Sequence, residues 1–264
     1  MFHKSWNMED LTPLARIEYV GHATVLIDLD GVRLLTDPLL RSRVAHLRRV
    51  APVDAKSRRG VDAVLISHAH YDHLDVPSLE KLGKSLPIVV PRGLAGLLRK
   101  RRFESVIEVE VGETFRIWGL EVRAVPAEHE GGRGPFGASA TPLGYVITGS
   151  RSVYFAGDTD LFEGMGELAP VDIGLIPIWG WGPGLGAGHL DPKRAAAAVA
   201  LVRPELVVPI HWGTYFPIHL GLRGAPSFID LPPAEFVAAV RETAPDVAVR
   251  VLRPGESLDL REQP

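Results

Sequence analysis

The stretch that decides the reading is Ser67-His68-Ala69-His70-Tyr71-Asp72-His73-Leu74-Asp75. It closes Val61–Ser67, a nearly continuous apolar run of the kind found in strands buried on both faces. It precedes Pro77–Leu82, which reads as a helix. In an extended loop, side chains two apart point the same way, so His68 and His70 can grip one metal ion. A tighter turn then aims Asp72 and His73 at a second point close by. Three imidazoles and a carboxylate within six residues are costly to keep together unless a divalent cation compensates them. The bland alternative is an exposed polar loop with chance histidines.

Working outward, three more candidates stand where apolar runs end. His129 lies in PAEHEGGRG after Val122–Val125, Asp158 in VYFAGDTD after Val153–Ala156, and His211 in VVPIHWGTY after Val207–Ile210. Loops at strand ends meet at one edge of a sheet, where sites are commonly assembled. Taken singly, each could be a packed histidine or a turn aspartate. Taken with the first motif, they describe one site.

The surrounding pattern is rich in short strands. Ile17–Val20, Thr24–Asp28 and Val32–Leu35 come first, with Asp30-Gly31 as a hairpin turn. Pro87–Val90, Val106–Val111, Thr114–Trp118, Glu121–Val125, Gly144–Thr148, Ser152–Ala156, Ile173–Ile178, Leu206–Ile210 and Val247–Leu252 follow. Leu94–Arg102, Pro192–Val202 and Glu235–Thr243 read as helices. Asp191 can cap the second of these, and Pro192 sits where a missing N–H costs nothing. Two packed sheets with helices outside are expected, and no linker divides residues 1–264, which read as a single domain.

Composition narrows the chemistry. The chain has 264 residues, 46% hydrophobic and 23% charged, with a net charge of -3. No global basic field points to nucleic acid. There is no cysteine, which removes thiolate nucleophiles and zinc-thiolate sites, so any metal must be held by His and carboxylates. The opening MFHKSWNMED has no apolar signal-peptide core, and no apolar run reaches the roughly 18–20 residues a membrane span needs. A cytoplasmic protein is expected.

The pattern HxHxDH, then His, then Asp in a GDT turn, then a late His, resembles the metallo-β-lactamase superfamily from about Ile17 to Gly255. The resemblance implies a four-layer αββα sandwich with mixed sheets. It also implies that His68, His70 and His129 bind one metal, that Asp72, His73 and His211 bind a second, and that Asp158 bridges them. GHATVLIDLDG, LLTDPLLRSR, DAVLISHAHYDHLD, FAGDT, IPI, HLDPKRA and PIHWGTY together resemble the N-acyl-phosphatidylethanolamine phospholipase D branch. Hydrolases related to the L-ascorbate 6-phosphate lactonase share parts of this set.

A metal pair of this kind can share a hydroxide and bring its pKa toward neutrality, making a nucleophile without a protein nucleophile. Zn is the first expectation for both divalent ions, with Mn or Fe as alternatives. Asp158 is expected to accept the nucleophile's proton. Asp37 is expected to orient a ligand imidazole, unless it is a turn cap before Pro38; His22 is expected to support the site, unless it is a packed core histidine. His189, just before the Pro192 helix, is expected to contact a phosphate or protonate a leaving group, unless it is a solvent histidine. Trp179, Trp181 and Tyr215 are placed as pocket walls or packing residues. Residues 41–60 carry seven Arg/Lys and one acid, either a flap for an anionic substrate or a solvated basic loop.

The expected activity is hydrolysis of a phosphodiester on a small-molecule or lipid-like anionic substrate, with a lactone as the alternative and no nucleic-acid partner. Flavodiiron proteins share the fold resemblance, but carry Glu at the place of His70 and need a flavin-binding domain. A nuclease would need added nucleic-acid-binding segments. A non-catalytic relative would be expected to have lost ligand positions, and all seven are filled here.

Overall fold

The computed structural model describes residues 15–52, 59–134, 137–168, 170–179, 188–218 and 230–260. The first sheet begins with antiparallel strands β1 (Ala15–Gly21), β2 (Thr24–Leu29) and β3 (Val32–Thr36). The β2–β3 hairpin turns at Asp30-Gly31, where both residues adopt positive φ (53° and 75°), the conformation a twisted two-residue turn requires. A short hairpin, β4 (Arg43–Val44) and β5 (Leu47–Arg49), then leaves the sheet. The chain returns in β6 (Ala63–Leu65), β7 (Ile88–Pro91) and β8 (Val106–Val109), all parallel, with helices α1 (Val76–Leu82) and α2 (Ala95–Arg99) as crossovers.

The second sheet starts with the antiparallel strands β9 (Thr114–Ile117), β10 (Leu120–Pro126), β11 (Leu143–Thr148) and β12 (Ser152–Phe155). It turns parallel through β13 (Ile173–Pro177), β14 (Leu206–Ile210) and β16 (Ala248–Val249), crossing by α3 (Pro192–Val202) and α4 (Leu231–Thr243). Strand β15 (Tyr215–Pro217) joins the β4–β5 hairpin in a small third sheet. Strand β17 (Ser257–Leu260) pairs with β1 and completes the first sheet, order β17-β1-β2-β3-β6-β7-β8. The second runs β16-β14-β13-β12-β11-β10-β9.

Alternation along the strands builds the layers. Val25 and Ile27 of β2 join one core with Tyr145, Ile147, Val153 and Phe155 of the second sheet, whereas Leu26 turns to the other side with Leu79 of α1 and Leu98 of α2. Ala195 and Val199 of α3 and Phe236 of α4 cover the outer side of the second sheet. The result is the αββα sandwich.

The expected strands and helices recur with shifted ends. Helix α2 stops at Arg99 and Arg102 takes a positive φ of 65°, which an α-helix does not allow. Helix α4 begins at Leu231, earlier than expected, because prolines 232 and 233 fit a first helical turn. Val247–Leu252 contributes only the two residues of β16, and β17 lies outside the expected strands because its SLDL carries a weak, half-exposed pattern. Asp191 caps α3 as expected, accepting from the Arg194 N–H at 2.8 Å.

Candidate metal centre

The chemistry-bearing residues gather at the C-terminal edge of both sheets. Asp37 follows β3, His68 follows β6, His129 follows β10, Asp158 follows β12, Trp179 follows β13 and His211 follows β14. His22 sits in the tight β1–β2 connection with φ 60°, and His211 also has a positive φ, 64°. Their backbones join the two sheets: the His211 N–H donates to the His22 carbonyl at 2.8 Å. The His22 N–H in turn donates to Thr214 Oγ1 at 2.8 Å.

One cluster consists of three imidazoles. His70 Nδ1 lies 2.9 Å from His68 Nε2 and 3.2 Å from His129 Nε2. A single ring N–H on His70 Nδ1 can serve only one of these two neighbours. The far nitrogens are occupied: His129 Nδ1 meets the Gly188 carbonyl at 2.8 Å, and His68 Nδ1 meets Ser67 Oγ at 2.9 Å. Donation outward leaves each Nε2 with a lone pair turned inward. Burial lowers the pKa of all three, well below the usual value for His68 and to about 4 for His129, so they are neutral at pH 7.

A second cluster joins His22, Asp72, His73 and His211, each offering one donor atom within 4.8 Å of the others. Asp158 lies between the clusters. Its Oδ2 is 3.1 Å from His73 Nε2, its Oδ1 is 3.2 Å from His211 Nε2, and it also groups with His129 and His189. Burial pushes the carboxyl groups of Asp72 and Asp158 upward, but neighbouring imidazoles outweigh it (His73 for Asp72; His211 and His73 for Asp158), and both are held below the ordinary range. Burial also disfavours a charged His73, yet Asp158 and Asp72 hold it well above its ordinary pKa.

Supporting contacts surround these groups. Asp37 Oδ2 lies 2.7 Å from His73 Nδ1 and accepts from Ser67 Oγ at 2.5 Å, while Oδ1 accepts the Ser67 N–H at 2.7 Å. Through Ser67, one carboxylate therefore steadies both His68 and His73. His22 Nε2 lies 3.2 Å from Asp72 Oδ2, and burial lowers the His22 pKa to about 3. Trp179 acts through its backbone: its carbonyl meets His211 Nδ1 at 2.6 Å. His189 Nε2 is 3.6 Å from Asp158 Oδ2 and its ring is 4.7 Å from that of His129.

The donor set fits divalent metal. His73 Nε2 and Asp158 Oδ1 are buried with no well-directed hydrogen bond among the described residues, although they lie 3.1 Å from Asp158 Oδ2 and 3.2 Å from His211 Nε2 respectively. Such atoms cost about 1–3 kcal/mol each when left unpaired. Zinc bound at about 2.0–2.1 Å by tetrahedral donors spaces those donors about 3.4 Å apart, close to what the three-imidazole cluster shows. Nitrogen and oxygen donors without sulfur suit Zn, Mn or Fe.

Other expected residues fall elsewhere. Tyr215 is fully buried and its hydroxyl donates to the Arg41 carbonyl at 2.5 Å, so it packs beneath the site and does not line an open wall. Trp181 lies outside the described residues. Two members of the basic 41–60 segment are committed internally. Arg41 forms a paired contact with Asp75, at 2.9 and 2.5 Å, and Arg49 donates to the carbonyls of Val20, Leu39 and Ala51. Residues 53–58 of that segment lie outside the described residues. Ser67, Thr214 and Arg133 support the site although no role is read for them in the sequence; each lies inside a motif quoted for its neighbours.

Residues 32–212 match the family described as the beta-lactamase superfamily domain. The chain belongs to the metallo-β-lactamase superfamily. Among members of the superfamily, a UPF0173 metal-dependent hydrolase of Methanopyrus kandleri is 37% identical over 253 residues, covering 92% of this chain and 99% of that protein. An N-acyl-phosphatidylethanolamine-hydrolyzing phospholipase D of Caenorhabditis elegans is 32% identical, over 75% of this chain and 63% of its own. The structure of Igni18, a metallo hydrolase from Ignicoccus hospitalis, superposes with a TM-score of 0.70 at 26% identity, covering 95% of this chain and all of that one (100%). Among the described residues, no helix is long and apolar enough to cross a membrane.

Proposed function

We propose that this metal-dependent hydrolase cleaves phosphodiesters with a pair of divalent metal ions. His68, His70 and His129 would hold one ion, Asp72, His73 and His211 the other, and Asp158 would reach both. The observation that carries the reading is the place of Asp158, whose two oxygens face His73 and His211 at 3.1 and 3.2 Å while it also groups with His129 and His189. When bound, such ions supply Lewis-acid activation of water and of the scissile oxygen.

The chain's own residues do the rest. Asp158, ionised and buried, is positioned to take up a proton from the attacking water. His189, a quarter exposed, stands on the solvent side of Asp158 and can hand a proton to a leaving oxygen. Asp37 keeps the His73 ring oriented, directly through Nδ1, and steadies His68 through Ser67. The phospholipase D relative supports a diester substrate, and lipid diesters are included in the reading for that reason. Zn is the first metal to load, and the whole chain is proposed to act as one domain, in the cytoplasm.

The test is release of nitrophenol from bis(p-nitrophenyl) phosphate by protein loaded with Zn or with Mn, against a chelator-treated control. Metal-dependent release supports the diesterase. No release from protein shown to hold two metal equivalents overturns it, and a lactone panel run in parallel then decides for the lactonase.

A further inference from the structure

Arg133 takes no part in either donor cluster, yet it reaches across the metal loop. Its Nε donates to the Ala69 carbonyl, and its Nη2 donates to the Leu74 carbonyl at 2.5 Å. Those carbonyls stand near the two ends of the donor run: Ala69 lies between His68 and His70, and Leu74 follows His73. The guanidinium also lies over the Tyr71 ring, 4.2 Å from its centroid. Tyr71 is 58% exposed, so this contact closes the outer side of the loop.

The arm that carries Arg133 begins at His129. Gly132 bridges Ser139, and the Arg133 N–H donates to the Ala138 carbonyl at 2.9 Å. Gly131 is needed for this path, since a Cβ there would lie 2.0 Å from the Ala140 carbonyl oxygen. The far end of the loop is held separately, by Arg41 on Asp75, which also caps α1.

We propose that Arg133 is a positioning residue that locks the His68–His73 loop to the His129 arm, so that donors from two distant segments are presented together before metal arrives. The physical basis is the planar fork. Two N–H groups of fixed geometry span two carbonyls, and the π face of Tyr71 receives the charge. A lysine carries the charge, but its three N–H groups radiate from one nitrogen and lack the fork that spans both carbonyls. Preorganisation of this kind acts on metal affinity, and outer contacts to metal sites are commonly worth about 10–100-fold.

This inference rests on the metal-centre reading above, and the test separates the two. Zn affinity is measured by competition with a chromophoric chelator for wild type, Arg133→Ala and Arg133→Lys, with hydrogen exchange of the Ala69–Leu74 amides in the metal-free proteins. The expected result is Zn binding about 10–100-fold weaker in Arg133→Ala, little recovery in Arg133→Lys, and faster exchange in the loop with the remaining sheet amides unchanged. If Arg133→Ala does not fold, Arg133→Lys decides on the same two readouts. Wild-type affinity and exchange in the folded variants overturn the proposal while leaving the metal centre standing. A raised KM with unchanged Zn affinity also overturns it, by making Arg133 a substrate contact. A wild-type protein that binds neither Zn nor Mn sinks both readings.

Discussion

Asp37 and His73, separated by 36 residues, meet at 2.7 Å between Oδ2 and Nδ1, both side chains wholly buried. The same Asp37 oxygen accepts from Ser67 Oγ, whose backbone N–H is held by the other oxygen. One carboxylate thus fastens the end of β6 and aims one imidazole from each cluster. Asp37 adopts φ 33°, a strained conformation for an aspartate, which the surrounding contacts enforce. Replacement by alanine leaves His73 Nδ1 and the Ser67 groups without their acceptor. Metal affinity is expected to fall about 10–100-fold, read by chelator competition, with turnover falling in step. Unchanged affinity in Asp37→Ala would remove its orienting role.

Asp158→Ala is expected to abolish diester hydrolysis in a protein that still folds. The variant loses the group facing His73 and His211, so bound metal should drop below the wild-type stoichiometry. Elemental analysis alongside circular dichroism checks this. Full turnover in a metal-loaded Asp158→Ala protein would refute the bridging role.

His189→Ala should separate binding of metal from chemistry. Its Nε2 stands 3.6 Å from Asp158 and its side chain is partly open to solvent. Turnover of the diester is expected to fall by about 10²–10⁴-fold, the range for a lost general acid, with metal content retained. Equal loss of both would recast His189 as structural.

Metal binding should release a proton. Without metal, His73 is held protonated above its ordinary pKa by Asp158 and Asp72, whereas His68, His70 and His129 are neutral at pH 7. A cation must displace the His73 proton, so apparent affinity rises with pH, by about tenfold per unit until the His73 pKa is passed. Calorimetry in buffers of different ionisation heat should report about one proton leaving at pH 7. Heats independent of buffer would contradict the charge state assigned to His73.

Gly157 is a tightly constrained backbone position beside the site. It has φ 64°, and a Cβ would lie 2.7 Å from Ser67 Cβ. Gly157→Ala must move either the Asp158 turn or the Ser67–Asp37 contact. A loss of about 1–3 kcal/mol in urea unfolding is expected from the overlap, together with weaker metal binding. Wild-type stability would show that the turn can relax without disturbing Ser67.

The amino-acid sequence by itself determined the apolar runs, the Asp30-Gly31 turn, the Asp191 cap and the cluster of donors from His68 to His73. Each depends on neighbours a few residues apart, through side-chain alternation, turn sterics or local capping. It also marked His129, Asp158 and His211 as strand-end residues, because an apolar run ending in a polar group is visible without knowing its partners. Only the tertiary structure decided which of these meet. His22 and His211 approach because the β1–β2 turn of one sheet bonds to the end of β14 in the other. The Ser67–Asp37 contact and the Arg133 fork join segments tens of residues apart. Tyr215 went beneath the site because β15 pairs with β5, which no local pattern predicted. Such contacts follow from how two twisted sheets pack and where their edges come together, and that packing is a property of the whole chain rather than of any short stretch.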